Sequence, residues 1–197
     1  FIILLLPGFR SRPVGVTISH STNEPRRSDS VELSSRTKVI LATLAFSLSQ
    51  AYLIGSLHSL RPNIVELQLT FAPDRYWEIL KLWGEAGRAA YHDHFSADFM
   101  HIGIFSLFGY LLAHHAGLFD PDERKKAWQL GVMLPVAGMF DLGENLLQLL
   151  LLSGPTGADS AAIPLSAACS TAKWALVVVF SWISAQRVLK RLGFSSR

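Results

Sequence analysis

Charge is what this chain has little of, and the shortage falls in blocks. Only 17% of its 197 residues are Asp, Glu, Lys or Arg, while half are apolar. No charged residue falls between Lys38 and Arg61, and none from Phe99 to Phe119. A third apolar run, Ala127 to Leu152, carries only Asp141 and Glu144, and a fourth, Ala161 to Gln186, carries only Lys173. Each run exceeds the ~20 helical residues that cross a hydrocarbon core. A soluble helix would alternate polar and apolar faces, and these runs are apolar all round. Cysteine is nearly missing as well. The single one, Cys169, excludes an intrachain disulfide and leaves the redox compartment open. No Gly-rich phosphate loop and no Cys-x-x-Cys pair occurs, so no cofactor is expected. The net charge of +3 does not point to nucleic acid, because the basic residues flank the apolar runs.

The pattern predicts an all-α four-helix transmembrane bundle, with spans at about 39–60, 99–119, 127–152 and 161–186. Residues 1–37 read as a disordered or processed basic tail, 38–190 as the bundle, and 191–197 as a short tail. Basic residues set the expected orientation. Thirteen Lys and Arg lie before the first run, in the short loop after the second (Arg124, Lys125, Lys126) or after the fourth. The first loop has four, Arg61, Arg75, Lys81 and Arg88, and the third loop has none. The positive-inside rule then places both termini in the cytoplasm. The first loop, residues 61–98, becomes extracytoplasmic. In it Val65, Leu67, Leu69 and Phe71 alternate with polar residues like a short strand. Pro73 and Asp74 suit a helix start, and Gly84 suits an interruption. Tyr76, Trp77, Leu80 and Trp83 share one face of that amphipathic helix, which fits a membrane interface or a cap packed over the bundle.

Charge at bilayer depth costs at least ~2.5–3.5 kcal/mol per group on insertion scales, so each such group needs a partner or a purpose. Asp141, Glu144 and Lys173 fall near mid-depth, as do Gln50 and Tyr110. Pro135, Gly138, Asp141, Asn145 and Gln148 follow helical spacing along the third run. Ser166, Ser170, Lys173, Ser181 and Ser184 do so in the fourth, and Gly103, Ser106, Tyr110 and His114 in the second. The expectation is an internal polar layer in which Lys173 pairs with Asp141 or Glu144. Asp141, Glu144, Asn145, Lys173, Tyr110 and Gln50 are the candidate ligand-binding set. Asp141, Glu144 and Lys173 are the catalytic candidates. A packing clamp is the competing account of the same residues.

Two weaker patterns accompany them. His94, Asp98 and His101 at i, i+4 and i+7 would share a helix face suited to a divalent metal, although interfacial histidines more often serve as hydrogen-bonded groups. Ser170-Thr171-Ala172-Lys173 has the Ser-x-x-Lys spacing of some acyl-enzymes, without their companion motifs.

The run Tyr76, Leu80, Trp83, Tyr91, Phe95, Asp98 and Phe99, followed by Pro135, Gly138, Asp141, Glu144 and Asn145, carries a resemblance. It resembles uncharacterised bacterial four-helix integral membrane proteins with a Pro-x-x-Gly-x-x-Asp-x-x-Glu-Asn stretch. The likeness covers residues 65–190 and implies an inner-membrane location and no known reaction. In outline the layout is also similar to the sterol-isomerase and sigma-2-receptor superfamily, with four helices, an external first loop and membrane-embedded carboxylates. No residue role is carried over from it. Three functions fit the residues: a protein or accessory subunit that binds a lipid or amphipathic small molecule, a membrane isomerase or hydrolase using Asp141 and Glu144 on a lipid or isoprenoid, and a purely structural bundle. Nothing in the sequence fixes an oligomeric state.

Overall fold

A computed structural model describes residues 33–155 and 160–193. The expected N-terminal tail, as far as residue 32, lies outside the described residues, as do 156–159 and 194–197. The first helix, α1, runs Ser35–Leu57, and the Ser34 side chain accepts a hydrogen bond from the Thr37 backbone N–H at its start. A one-turn helix, α2, follows at Ile64–Gln68, then α3 at Pro73–His115, α4 at Arg124–Ser153 and α5 at Ala162–Arg191. A 3-10 turn at Pro121–Glu123 leads into α4. The chain is an all-α, four-helix integral membrane protein: α1, α3, α4 and α5 are each long and apolar enough to cross a bilayer.

One expectation about the first loop changes, and the choice left open for its aromatic face is decided. The alternating segment at 65–71 does not form a strand; Ile64–Gln68 is helical, capped by Asn63, whose side chain accepts from the Glu66 backbone N–H. An isolated strand would leave its backbone groups unpaired, and one capped turn pairs several of them at once. Arg75 then bridges Glu66 of α2 and Glu78 one turn further on. The aromatic face of the loop helix, in turn, is a cap and not an interface anchor. Tyr76, Ile79, Leu80 and Trp83 are buried against Leu57, Leu67, Leu151 and Ile163. The Trp83 indole donates to the Pro62 carbonyl at 2.7 Å, tying loop and cap together.

The cap helix does not stop before the second span. It joins that span through one residue, Gly84, with φ 63° and ψ −168°. An L side chain is strained there, so glycine permits the bend. Beyond it, α3 packs between α1 and α4, and α4 packs on α5. Close approach of α3 and α4 depends on small residues, as in other membrane helix pairs. A Cβ added at Gly109 would lie 2.8 Å from the Leu134 side chain, and one at Gly138 would lie 2.8 Å from Ser106 Oγ.

Apolar packing occurs in two clusters separated along the bundle axis. One gathers Val39, Phe105, Phe108, Leu112, Leu130, Leu134 and Phe180. The other gathers the cap with Tyr91, Phe95, Leu151 and Ile163. Between them, by position along each helix, lies a buried polar stratum: His94 and His101 from α3, Asp141, Glu144, Asn145 and Gln148 from α4, and Ser166, Ser170 and Lys173 from α5.

Candidate functional site

The stratum is built from three adjacent helices, and its partners are matched one by one. Tyr76 of the cap donates its hydroxyl to Gln148 Oε1 at 2.7 Å, and Gln148 Nε2 donates to Ser166 Oγ at 2.8 Å. One turn back along α4, Asn145 Nδ2 donates to Asp98 Oδ2 of α3 at 2.6 Å. Another turn back, Lys173 Nζ of α5 donates to Asp141 Oδ1 at 2.8 Å and lies 2.7 Å from Glu144 Oε2. The Lys173 cation thus joins α4 to α5 through two carboxylates three residues apart, which share a helix face. Of the two carboxylates Glu144 is the more deeply buried, its side chain 1% exposed against 6% for Asp141. Ion-paired in this way, Lys173 has no free lone pair with which to activate Ser170, whose hydroxyl donates to the Ser166 carbonyl at 3.2 Å. The Ser-x-x-Lys spacing is therefore helical packing.

Beside the stratum a long cleft of about 1210 Å³ runs between α1 and α5, floored by α3. Most of its wall is apolar, including Val39, Phe46, Leu53, Phe105, Val177 and Phe180. Gln50, His94, Asp98, His101, Asp141 and Lys173 open onto it at mid-depth. His58 and Arg61 stand at one end and Arg36 and Arg191 at the other. The volume exceeds the ~300–1,000 Å³ of common small-molecule pockets.

The sequence candidates divide accordingly. Asp141, Lys173 and Gln50 line the cleft. Glu144 has no exposed surface and Asn145 is buried behind Asp98, so both stand one layer back as supports. Tyr110 is separate from the stratum. It is 44% exposed on the outer side of α3 and packs on the His114 ring at 4.5 Å. The small and polar stripe Gly103, Ser106, Tyr110, His114 follows the rim of α3 beside α4, with Ser106 against Gly138 and His114 against Gly131. The inward face of α3 is instead the aromatic and histidine stripe. In a membrane helix, polarity alone does not mark the inward face, since aromatic side chains can fill it.

The histidine pattern does share a helix face, but its three side chains do not close on a metal. Among the described residues no group of three His, Cys, Asp or Glu side chains converges as a ligand set. Asp98 is held by Asn145, His94 Nδ1 by the Tyr91 carbonyl, and His101 Nδ1 by Ser49 Oγ at 2.8 Å. Ser49 and the cleft-lining Trp174 carried no sequence signal, because serine and tryptophan are common on any membrane helix. Only the rotation of α1 and α5 brings one against His101 and the other to the cleft.

Comparison with protein families, curated proteins and solved structures found no match. The site and the fold together define a class: an integral membrane four-helix bundle with a lateral cleft and a polar band at mid-depth.

Proposed function

We propose that this protein binds a lipid or other long amphipathic molecule in the cleft between α1 and α5, with no chemistry of its own. The observation that carries the reading is the cleft itself, whose ~1210 Å³ suits a long chain and whose apolar wall is interrupted by one polar band. A purely structural bundle has no need of such a space, since packing is the main force that holds membrane helices together. The enzyme alternative, with Asp141 and Glu144 as acid and base, has less support. Glu144 is sealed from the cleft, and Asp141 is tied to Lys173. In this reading both termini are cytoplasmic, as the thirteen-to-four distribution of basic residues favours, and the cap faces outward in a bacterial inner membrane.

The test is lipid analysis by mass spectrometry of the detergent-extracted protein, beside Val177→Trp, which would fill the cleft from α5. The wild type should retain a lipid that the variant lacks. Equal lipid content in both proteins would remove the basis for the proposal.

A further inference from the structure

The hydrogen-bond inventory of the polar band limits what the cleft can hold. His94, Asp98 and His101 lie on one face of α3, and all three line the cleft. His94 Nδ1 meets the Tyr91 carbonyl oxygen, which has no proton to give, so Nδ1 carries the hydrogen. His101 Nδ1 meets Ser49 Oγ at 2.8 Å, while the same hydroxyl bonds the Phe46 carbonyl at 3.0 Å. Ser49 has one proton. Both contacts form together only if Ser49 donates to Phe46 and accepts from His101. In both uncharged rings the remaining nitrogen, Nε2, therefore offers a lone pair. Asp98 adds a carboxylate that makes no ion pair among the described residues and accepts only from Asn145. The α3 side of the band is thus built of acceptors. Donors stand elsewhere on the wall, at the Gln50 amide on α1 and the Lys173 ammonium on α5.

We infer that the occupant of the cleft carries a hydroxyl group on its chain, held at the depth of the polar band between the acceptors of His94, Asp98 and His101 and the donors of Gln50 and Lys173. This rests on the lipid-binding reading and adds the chemistry by which one lipid is chosen over another. A hydroxyl both donates and accepts, so it serves both sides of the band. An unsubstituted chain would offer nothing to the Nε2 lone pairs of the two imidazoles or to the remaining acceptor capacity of Asp98, which is unfavourable in an apolar surrounding. An ammonium can only donate, so although Asp98 would attract it, it has nothing to offer the donors of Gln50 and Lys173, whereas a hydroxyl serves both sides. The cleft continues past the band in both directions, to Arg61 at one end and to Arg36 and Arg191 at the other. The hydroxyl is therefore placed along a chain and not at its head.

The experiment uses the full chain in detergent, stripped of lipid, with a fluorescent fatty acid as the displaced probe. Competitors are stearic acid, a mid-chain hydroxystearic acid and the matching mid-chain amino acid analogue. The hydroxy acid should compete roughly threefold to tenfold better than stearic acid, the span of one net hydrogen bond. In His101→Phe, which keeps a ring against Phe46, that preference should shrink while stearic acid competes as before. Equal competition by hydroxy and plain acids in the wild type overturns the hydroxyl assignment and leaves the lipid cleft standing. Tighter binding of the amine also overturns it. Failure of the probe to bind at all, or unchanged probe binding in Val177→Trp, counts against the cleft as a lipid site and so against both readings. The wild-type comparison decides the matter even if His101→Phe does not fold.

Discussion

Replacing Lys173 by Met is the sharpest perturbation of the polar stratum. Met fills much the same space and suits a helix, so neither packing volume nor propensity should dominate the outcome. What changes is charge. Lys173 is the partner of both Asp141 and Glu144, at 2.8 and 2.7 Å, and the two carboxylate side chains are only 6% and 1% exposed. Without it they face each other within one helical turn, with no cation between them. Removing one partner of a buried ion pair typically costs about 3–5 kcal/mol. Two stranded carboxylates should place this variant at the upper end of that range. Thermal unfolding in detergent, followed by tryptophan fluorescence, measures it.

A variant without the charged cluster supplies the internal control. A triple variant, Lys173→Met with Asp141→Asn and Glu144→Gln, removes every formal charge and should recover most of the loss, as buried ion clusters replaced together often do. A Lys173→Met protein as stable as the wild type would refute the account of the stratum as a charge-matched unit.

Other expectations follow from single contacts. Asp141→Asn leaves Glu144 beside Lys173 and should destabilise clearly less than Lys173→Met in the same melt. Gly84→Ala has open space around its new methyl group but a φ of 63°, so a loss of about 1–3 kcal/mol would be conformational; an unchanged melting temperature would dismiss the kink. Gly109→Val must push on Leu134 and should cost about 1–3 kcal/mol by overpacking, with a melt no different from wild type as the contrary result. For orientation, a cysteine at Ser160 should react with an impermeant thiol reagent applied to intact cells, and one at Lys125 should not; the reverse pattern would invert the topology.

The all-α class and the number of long apolar helices followed from composition alone, whereas the second helix, expected over 99–119, ends at His115 and reaches back past residue 99 to Gly84 and the cap. A bilayer core demands about 20 uninterrupted apolar residues, and a charge-free helix of that length, apolar on every face, has no side to turn toward water. That Lys173 pairs with Asp141 or Glu144 was also legible, because charges at matched depth must find each other or be excluded; that it reaches both was not. Gly84 was visible as an interruption, since glycine has a local conformational meaning wherever it falls.

Rotation of each helix about its axis was not legible. In a soluble helix the polar face marks the outside, but lipid is as apolar as a protein core, and the same code does not operate. Tyr110 therefore looked internal and is exposed, while the shared face of His94, Asp98 and His101, a weak pattern in the sequence, lines a cleft that no single helix discloses. The strand-like alternation at 65–71 misled for a related reason. So short a segment can satisfy either period, and the Asn63 cap with the Arg75–Glu66 bridge decided for helix over Ile64–Gln68. The cleft itself belongs to tertiary structure alone. It exists because α1 packs on α3 and leaves α5 to pack on α4, and an arrangement of helices is a property of no single segment.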